Sequence, residues 1–249
     1  MKQSEQSAQQ ALPSVWTRPE RRRRDQPALS REQIVATALE LLDSEGIDAL
    51  SMRKLGARLG AGAASLYTHV ANKDELIELA VDEVYGEVEL PEAGGAADGE
   101  WRAAAAQCAH GLRAAFLRHP WIASVLGEAG LSHLGPNMLR MSEAMLGVFE
   151  DAGFPLEEAD QAVNTLSAYV IGAATSEAAW LTLLTRSGRS EQEWVEHLWP
   201  AAERAVEPYP RLRRLYATRR AQDAEGARGD AFGTGLDSVL DGLATRLRG

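Results

Sequence analysis

Of the 249 residues, few carry side chains suited to covalent chemistry, and those few are badly spaced for it. Ser51-Met52-Arg53-Lys54 has the spacing of a Ser-x-x-Lys nucleophile motif, but its companion motifs are absent and Ser51 has a simpler use as a helix cap. Gly60-Ala61-Gly62 looks like the start of a dinucleotide loop, yet it follows a helical pattern rather than a strand, and Ser65 stands where a third glycine belongs. His69, His110, His119, His133 and His197 are scattered without metal-ligand spacing, and no His-Glu-x-x-His, Gly-x-Ser-x-Gly or Walker loop occurs. No catalysis or cofactor is expected, no residue is singled out as a metal ligand, and a metal requirement stays open. What remains is the chemistry of hydrogen bonding and charge. Ser51, Ser65 and Thr68 offer hydroxyls within eighteen residues of one another, and Arg21, Arg22, Arg23 and Arg24, preceded by Arg18, form a run suited to phosphate oxygens.

The elements that must position these groups lie between Ser51 and Glu75. Ser51 caps a short helix whose inward side carries Leu55 and Leu59, four residues apart. Gly60 and Gly62 interrupt the pattern where the chain must bend. A second short helix points Leu66 and Val70 inward and leaves Ser65, Tyr67, Thr68 and His69 outward. Asn72 with Glu75 three residues on is a capping-box pattern that opens another helix. Two short helices about a glycine turn make a helix-turn-helix, which lays its second helix in the DNA major groove. There Ser65 and Thr68 can meet base edges or a thymine methyl, and Ser51 can offer a phosphate its hydroxyl or its backbone amide. The arginine run sits in a polar, proline-containing arm (residues 1–29) without helical period, well placed to track phosphates or enter a minor groove.

The run LSREQIVATALELLDSEGIDALSMRKLGARLG, followed by SLYTHVANKDELIELAVDEV, resembles the DNA-binding domain of the TetR family of transcriptional regulators. The Leu66-Tyr67-Thr68-His69-Val70 stretch with Asn72-Lys73 is especially similar to the tetracycline-repressor branch, and basic extensions occur in several regulators of antibiotic export in the family. The resemblance implies that Arg53 reaches a guanine, for which its forked guanidinium suits a bidentate bond, and that Tyr67, His69 and Lys73 hold phosphates. It implies an all-α, homodimeric repressor that leaves double-stranded operator DNA when a small hydrophobic molecule enters its C-terminal domain. One departure stands out: Ala63 and Ala64 replace larger polar residues at the start of the recognition helix, which shifts the expected specificity onto Arg53, Ser65, Thr68 and DNA shape.

Charge agrees once it is divided. The net formal charge is −10, but residues 1–75 hold 11 Lys+Arg against 10 Asp+Glu, while residues 76–249 hold 15 against 26. The acidic burden therefore lies away from the expected reading head. Cys108 is alone, so no intrachain disulfide forms, and a cytoplasmic setting is expected. No apolar run is long enough to span a membrane.

Three parts are expected: the arm at 1–29, a helix-turn-helix domain at 30–75, and a ligand-binding and dimerisation domain at 76–249, with helix 73–89 connecting them. Residues 91–99 read as a hinge, 127–135 as a glycine-broken loop, 190–210 as irregular and 219–231 as a loop. Helices are expected over 101–118, 136–153, about 156–186 and about 231–247. In similar proteins the effector lies among the C-terminal helices, where His110, Trp121, Asn137, Met138, Met141, Met145, Asn164 and Tyr169 are the candidate contacts, the methionines as an adaptable apolar seam. The family pairs the helices corresponding to the long 156–186 segment and the last helix across a two-fold axis, which predicts a pseudo-palindromic operator. The effector expected is an antibiotic or natural product whose export or synthesis the protein controls. An activator, a regulator without effector and a helical scaffold remain open alternatives.

Overall fold

Side-chain caps start three helices of the first part of the chain, and each is legible in sequence. In the computed structural model, which describes residues 29–91, 100–125, 135–219 and 224–248 (without the side chains of 219, 224–230 and 248), Ser30 and Gln33 form a reciprocal capping box at the head of α1, Arg31–Glu45. Ser51 Oγ accepts the amide of Lys54 to start α2, Met52–Arg58. Asn72 Oδ1 accepts the amide of Glu75 to start α4, Lys73–Gly86. The Glu75 carboxylate reaches back to the amide of Ala71, one residue beyond the expected reciprocal partner, Asn72. Between α2 and α4 lies α3, Ala63–Leu66, a single turn continued by hydrogen-bonded turns through Val70.

The described residues fall into two compact units, one drawn from Met1–Leu90 and Trp121–Ala144, the other from Pro91–Pro120 and Met145–Gly249. The core of the first unit consists of Ile34, Ala38, Leu41, Leu42, Leu55, Leu66, Val70, Leu76, Ala80, Val81 and Val84, each at most 1% exposed. Removing such side chains from water stabilises the unit by about 1.5–3 kcal/mol for each large one. Leu59, expected inward, is only half-buried. The turn after α2 is a Schellman motif: Ala61 N–H donates to Gly56 C=O at 2.9 Å and Gly60 N–H to Ala57 C=O at 3.3 Å. Gly60 alone of the two expected turn glycines uses the left-handed region, at φ +62°; Gly62 stands extended as the N-cap of α3.

The second unit is a helical bundle. α5, Trp101–Arg118, packs on α7, Leu156–Ser187, and both meet α10, Ala224–Ala244. The buried stripe of α7 (Ala159, Ala162, Leu166, Val170, Ala174, Ala178) recurs every three or four residues, the period of one helix face. Its small residues allow close approach. α6, Pro136–Asp151, begins in the first unit and ends in the second, where Phe149 joins Trp101 and Phe154 in an edge-on aromatic cluster.

Two stretches differ from expectation. Residues 190–210 are helical: α8, Glu191–Val206, starts at a Ser190–Glu193 capping box and tolerates Pro200 in its interior, and α9, Pro210–Arg219, follows. The last helix starts at Ala224, seven residues before the expected 231. The arm with Arg21, Arg22, Arg23 and Arg24, most of the 91–99 hinge and most of the 127–135 loop lie outside the described residues. Among the described residues there is no strand, no helix long and apolar enough to cross a membrane, and no cluster of potential metal ligands.

Candidate nucleic-acid interface and effector site

The first unit turns its apolar side chains inward and leaves a polar surface on α2 and α3. Leu55, Leu66 and Val70 are fully buried, whereas Ser51, Arg53, Ser65, Tyr67 and Thr68 are exposed and His69 is half-buried. The alternation follows from two short amphipathic helices that each have a single face to bury. Tyr67, at 48% exposure, is a large aromatic kept in water next to the fully buried Leu66, which suits a side chain held for contact.

Each polar group comes with a local constraint. Thr68 Oγ1 donates to the carbonyl of Ser65 at 2.6 Å, so its proton is committed and the exposed side chain keeps a methyl and the hydroxyl's acceptor lone pairs. Lys73 Nζ donates to the carbonyl of Ile47 at 3.1 Å, which pins the ammonium at the start of α4 while leaving it two further protons. Lys54 and Arg58 both turn to Glu45 of α1, and Glu45 is held below its ordinary range, first by the hydrogen bond from Lys54. Two of the unit's cations are thereby partly neutralised beside Arg53. Gly56 was not singled out in sequence, yet a Cβ there would stand 2.7 Å from the Ala61 carbonyl oxygen. Its signal was available: a glycine inside a short helix costs about 1 kcal/mol relative to alanine and needs a packing reason.

The eight candidate effector contacts do not form one cluster. Trp121 is buried in the first unit, its indole N–H donating to Asp43 Oδ1 at 2.8 Å. Asn137 hydrogen-bonds Asp82 through its amide and its side chain. Met141 is buried and Met138 half-buried in the same unit. In the second unit, Met145 is buried and Asn164 is exposed, donating to Asp160 one turn earlier. His110 and Tyr169 each contact Phe232, with ring centroids 5.2 and 5.5 Å from it. The Tyr169 hydroxyl donates to the Phe232 carbonyl at 2.6 Å, and Arg113 covers the same ring at 4.9 Å while forming a two-pronged ion pair with Glu177, both bonds 2.8 Å. Tyr169, Glu177, Trp180 and Phe232 line an open groove of about 330 Å³ between α7 and α10. Such a groove can take an aromatic body beside the Glu177 carboxylate, which Arg113 already pairs.

Comparison with known proteins covers both units. Residues 34–80 match the model of bacterial regulatory proteins of the tetR family, and residues 93–247 match the tetracyclin repressor-like C-terminal domain. A helix-turn-helix transcriptional regulator of Saccharopolyspora erythraea is 42% identical over 67% of this chain and 69% of its own. The transcriptional repressor DrrR1 of Streptomyces coeruleorubidus is 34% identical over 87% of this chain and 78% of its own. The crystal structure of ActR from Streptomyces coelicolor in complex with actinorhodin is similar with a TM-score of 0.71 and 31% identity, over 88% of this chain and 98% of that one.

Proposed function

Because this chain belongs to the TetR family of bacterial transcriptional regulators, we propose that it is a homodimeric repressor of a pseudo-palindromic operator, released by a small hydrophobic effector. The observation that carries the reading is the polar surface of α2 and α3: Arg53, Ser65, Tyr67 and Thr68 stand in solvent over a helix-turn-helix core that is closed to it. Arg53 reads a guanine through its two-pronged donor set, and Ser65 and Thr68 read neighbouring bases. Ser51, Tyr67, His69 and Lys73, with Arg21, Arg22, Arg23 and Arg24 of the arm, hold phosphates and fix the register. Two copies pair through α7 and α10, which places two reading surfaces on successive half-sites.

The effector belongs to the C-terminal part, and a flat aromatic natural product is the class favoured. ActR, over nearly its whole length similar to this chain, is known in complex with actinorhodin, and DrrR1 is a repressor. The regulated genes are then those for export or synthesis of that compound. The domain division follows the same reading: a head at 30–75, a ligand-binding and dimerisation part at 76–249, and α4 joining them. The protein works in the cytoplasm, on the nucleoid.

The test is displacement. A duplex selected from a random library by the purified protein is labelled, bound, and titrated with actinorhodin and then with other aromatic polyketides. Release by one member at micromolar concentration, with no release by an apolar control, supports the reading. Binding of duplex that no such compound disturbs points to a regulator without an effector of this class, and absence of any selected duplex refutes the repressor.

A further inference from the structure

Asp82 is a carboxylate in the middle of α4, only 3% exposed, and the reading surface makes no use of it. Its Oδ1 accepts the amide of Asn137 at 3.1 Å and that of Met138 at 3.0 Å, with Oδ2 3.2 Å from the Asn137 amide. In return the Asn137 side chain donates to the Asp82 backbone carbonyl at 3.1 Å. A helix start leaves its first amides without internal partners, and local side chains usually serve them. At α6 the service comes from a residue 55 positions earlier in the chain. The fit is tight: a Cβ on Gly135 would stand 2.1 Å from Asp82 Oδ1, so only glycine leaves room for the carboxylate at the entry to α6. A second polar link ties the same stretch to α1 of the head, from the Trp121 indole to Asp43.

These contacts differ in kind from the apolar packing around them. Apolar packing is non-directional, whereas a hydrogen bond of 3.0 Å is lost within roughly half an ångström of lengthening. α6 is one continuous helix that begins beside Asp82 and ends in the second unit. We infer that Asp82 is the positioning residue that couples α6 to the reading head, its carboxylate tying the first turn of α6 to α4 so that displacement or fraying of that turn repositions α4. The inference rests on the DNA-binding reading above, and adds to it the residue through which the head's position is set. Gly135 keeps the space the carboxylate needs, and Asn137 works here as a structural clasp on α4.

Coupling is reciprocal, so it is testable without knowing the effector: DNA on the head must be felt at the start of α6. The experiment is hydrogen exchange followed by mass spectrometry on the full chain, free and bound to a duplex selected from a random library. In the wild type, exchange of the Asn137 and Met138 amides slows by about fivefold or more on duplex binding, the lower end of ordinary coupling. Asp82→Asn removes the charge and one acceptor; Gly135→Ala keeps the carboxylate but displaces it. Both retain duplex binding, and in both the ratio of free to bound exchange at these amides falls to one. A merely structural role would speed exchange in free and bound protein alike and leave the ratio at its wild-type value, which overturns the inference. A wild-type ratio of one in protein that binds duplex overturns it as well. Two variants of opposite design keep the test standing if one fails to fold. Recovery of no duplex at all would instead refute the DNA-binding reading beneath it.

Discussion

The amide of Ala61 donates to the carbonyl of Gly56 at 2.9 Å, and that one bond closes the turn between the two helices of the reading head. The approach needs a bare α-carbon, since a Cβ on Gly56 would lie 2.7 Å from the Ala61 oxygen. Gly56→Ala therefore destabilises the protein despite alanine's better helix propensity. The expected cost is about 1–3 kcal/mol, as for other overpacked sites, or about 2–4 °C in Tm per kcal/mol for a chain of this size. Thermal melting by circular dichroism checks it. A raised Tm would show that propensity outweighs the close contact.

Arg53 and Thr68 should separate two kinds of readout. Arg53→Ala is expected to weaken duplex binding by about 1–3 kcal/mol and to relax the preference at one base pair of each half-site. Thr68→Val keeps a methyl and loses the hydroxyl whose proton is already spent on Ser65. It should cost less than Arg53→Ala and leave any preference for thymine in place. Anisotropy titrations against single-substitution duplexes measure both.

Glu45 holds Lys54 and Arg58 on the flank of the head. Glu45→Gln frees two exposed cations for phosphate. Binding to unrelated duplex should tighten, and the slope of log affinity against log salt should steepen by up to about 2 for each head, or about 4 for the dimer. Stability should change little, because solvent screens exposed ion pairs such as these. An unchanged slope would mean that these cations stay out of reach of the backbone.

High pH should unfold the protein through buried neutral groups. Burial pushes the Cys108 thiol up from 9.0 to about 11, and burial followed by the charge of Asp82 pushes the Tyr85 phenol up from 10.0 to about 12. The unfolded chain ionises first, so the stability is fully present below pH 9, declines as each unfolded group ionises, and is lost by pH 11–12. The two groups together amount to roughly 5 kcal/mol across that window. Urea midpoints at pH 8, 10 and 11 measure the fall. Cys108 should also resist thiol reagents at pH 8 until denaturant is added.

The head was legible because its signals are local. Ser30–Gln33, Ser51, and Asn72 with Glu75 each cap a helix within three or four residues, and the apolar spacing of Leu55, Leu66 and Val70 names their faces. The misses were of two kinds. Pro200, Pro208 and Pro210 hid α8 and α9, although the Ser190–Glu193 capping box marked the start of α8 as plainly as Ser30 marks α1. Gly226 and Gly229 hid the first turns of α10 in the same way. The contacts of Trp121 with Asp43 and of Asn137 with Asp82 span 78 and 55 residues, and no periodicity announces such a pairing. Both side chains are also candidate effector contacts, because an aromatic and an amide on mostly apolar segments look alike in sequence whether they face a ligand or another helix. Gly56 shows the remaining limit, since a close approach is a property of two segments rather than one.

The central claim is that α2 and α3 read DNA, and fluorescence anisotropy over a salt series tests it most directly. The purified protein is titrated into a labelled duplex carrying the selected inverted repeat and into a scrambled duplex of equal composition. The account predicts tight binding to the repeat, weaker binding to the scrambled duplex, and a log–log salt slope of roughly −5 or steeper, as several phosphate contacts on each of two heads require. Equal binding to both duplexes, or affinity indifferent to salt, would contradict it.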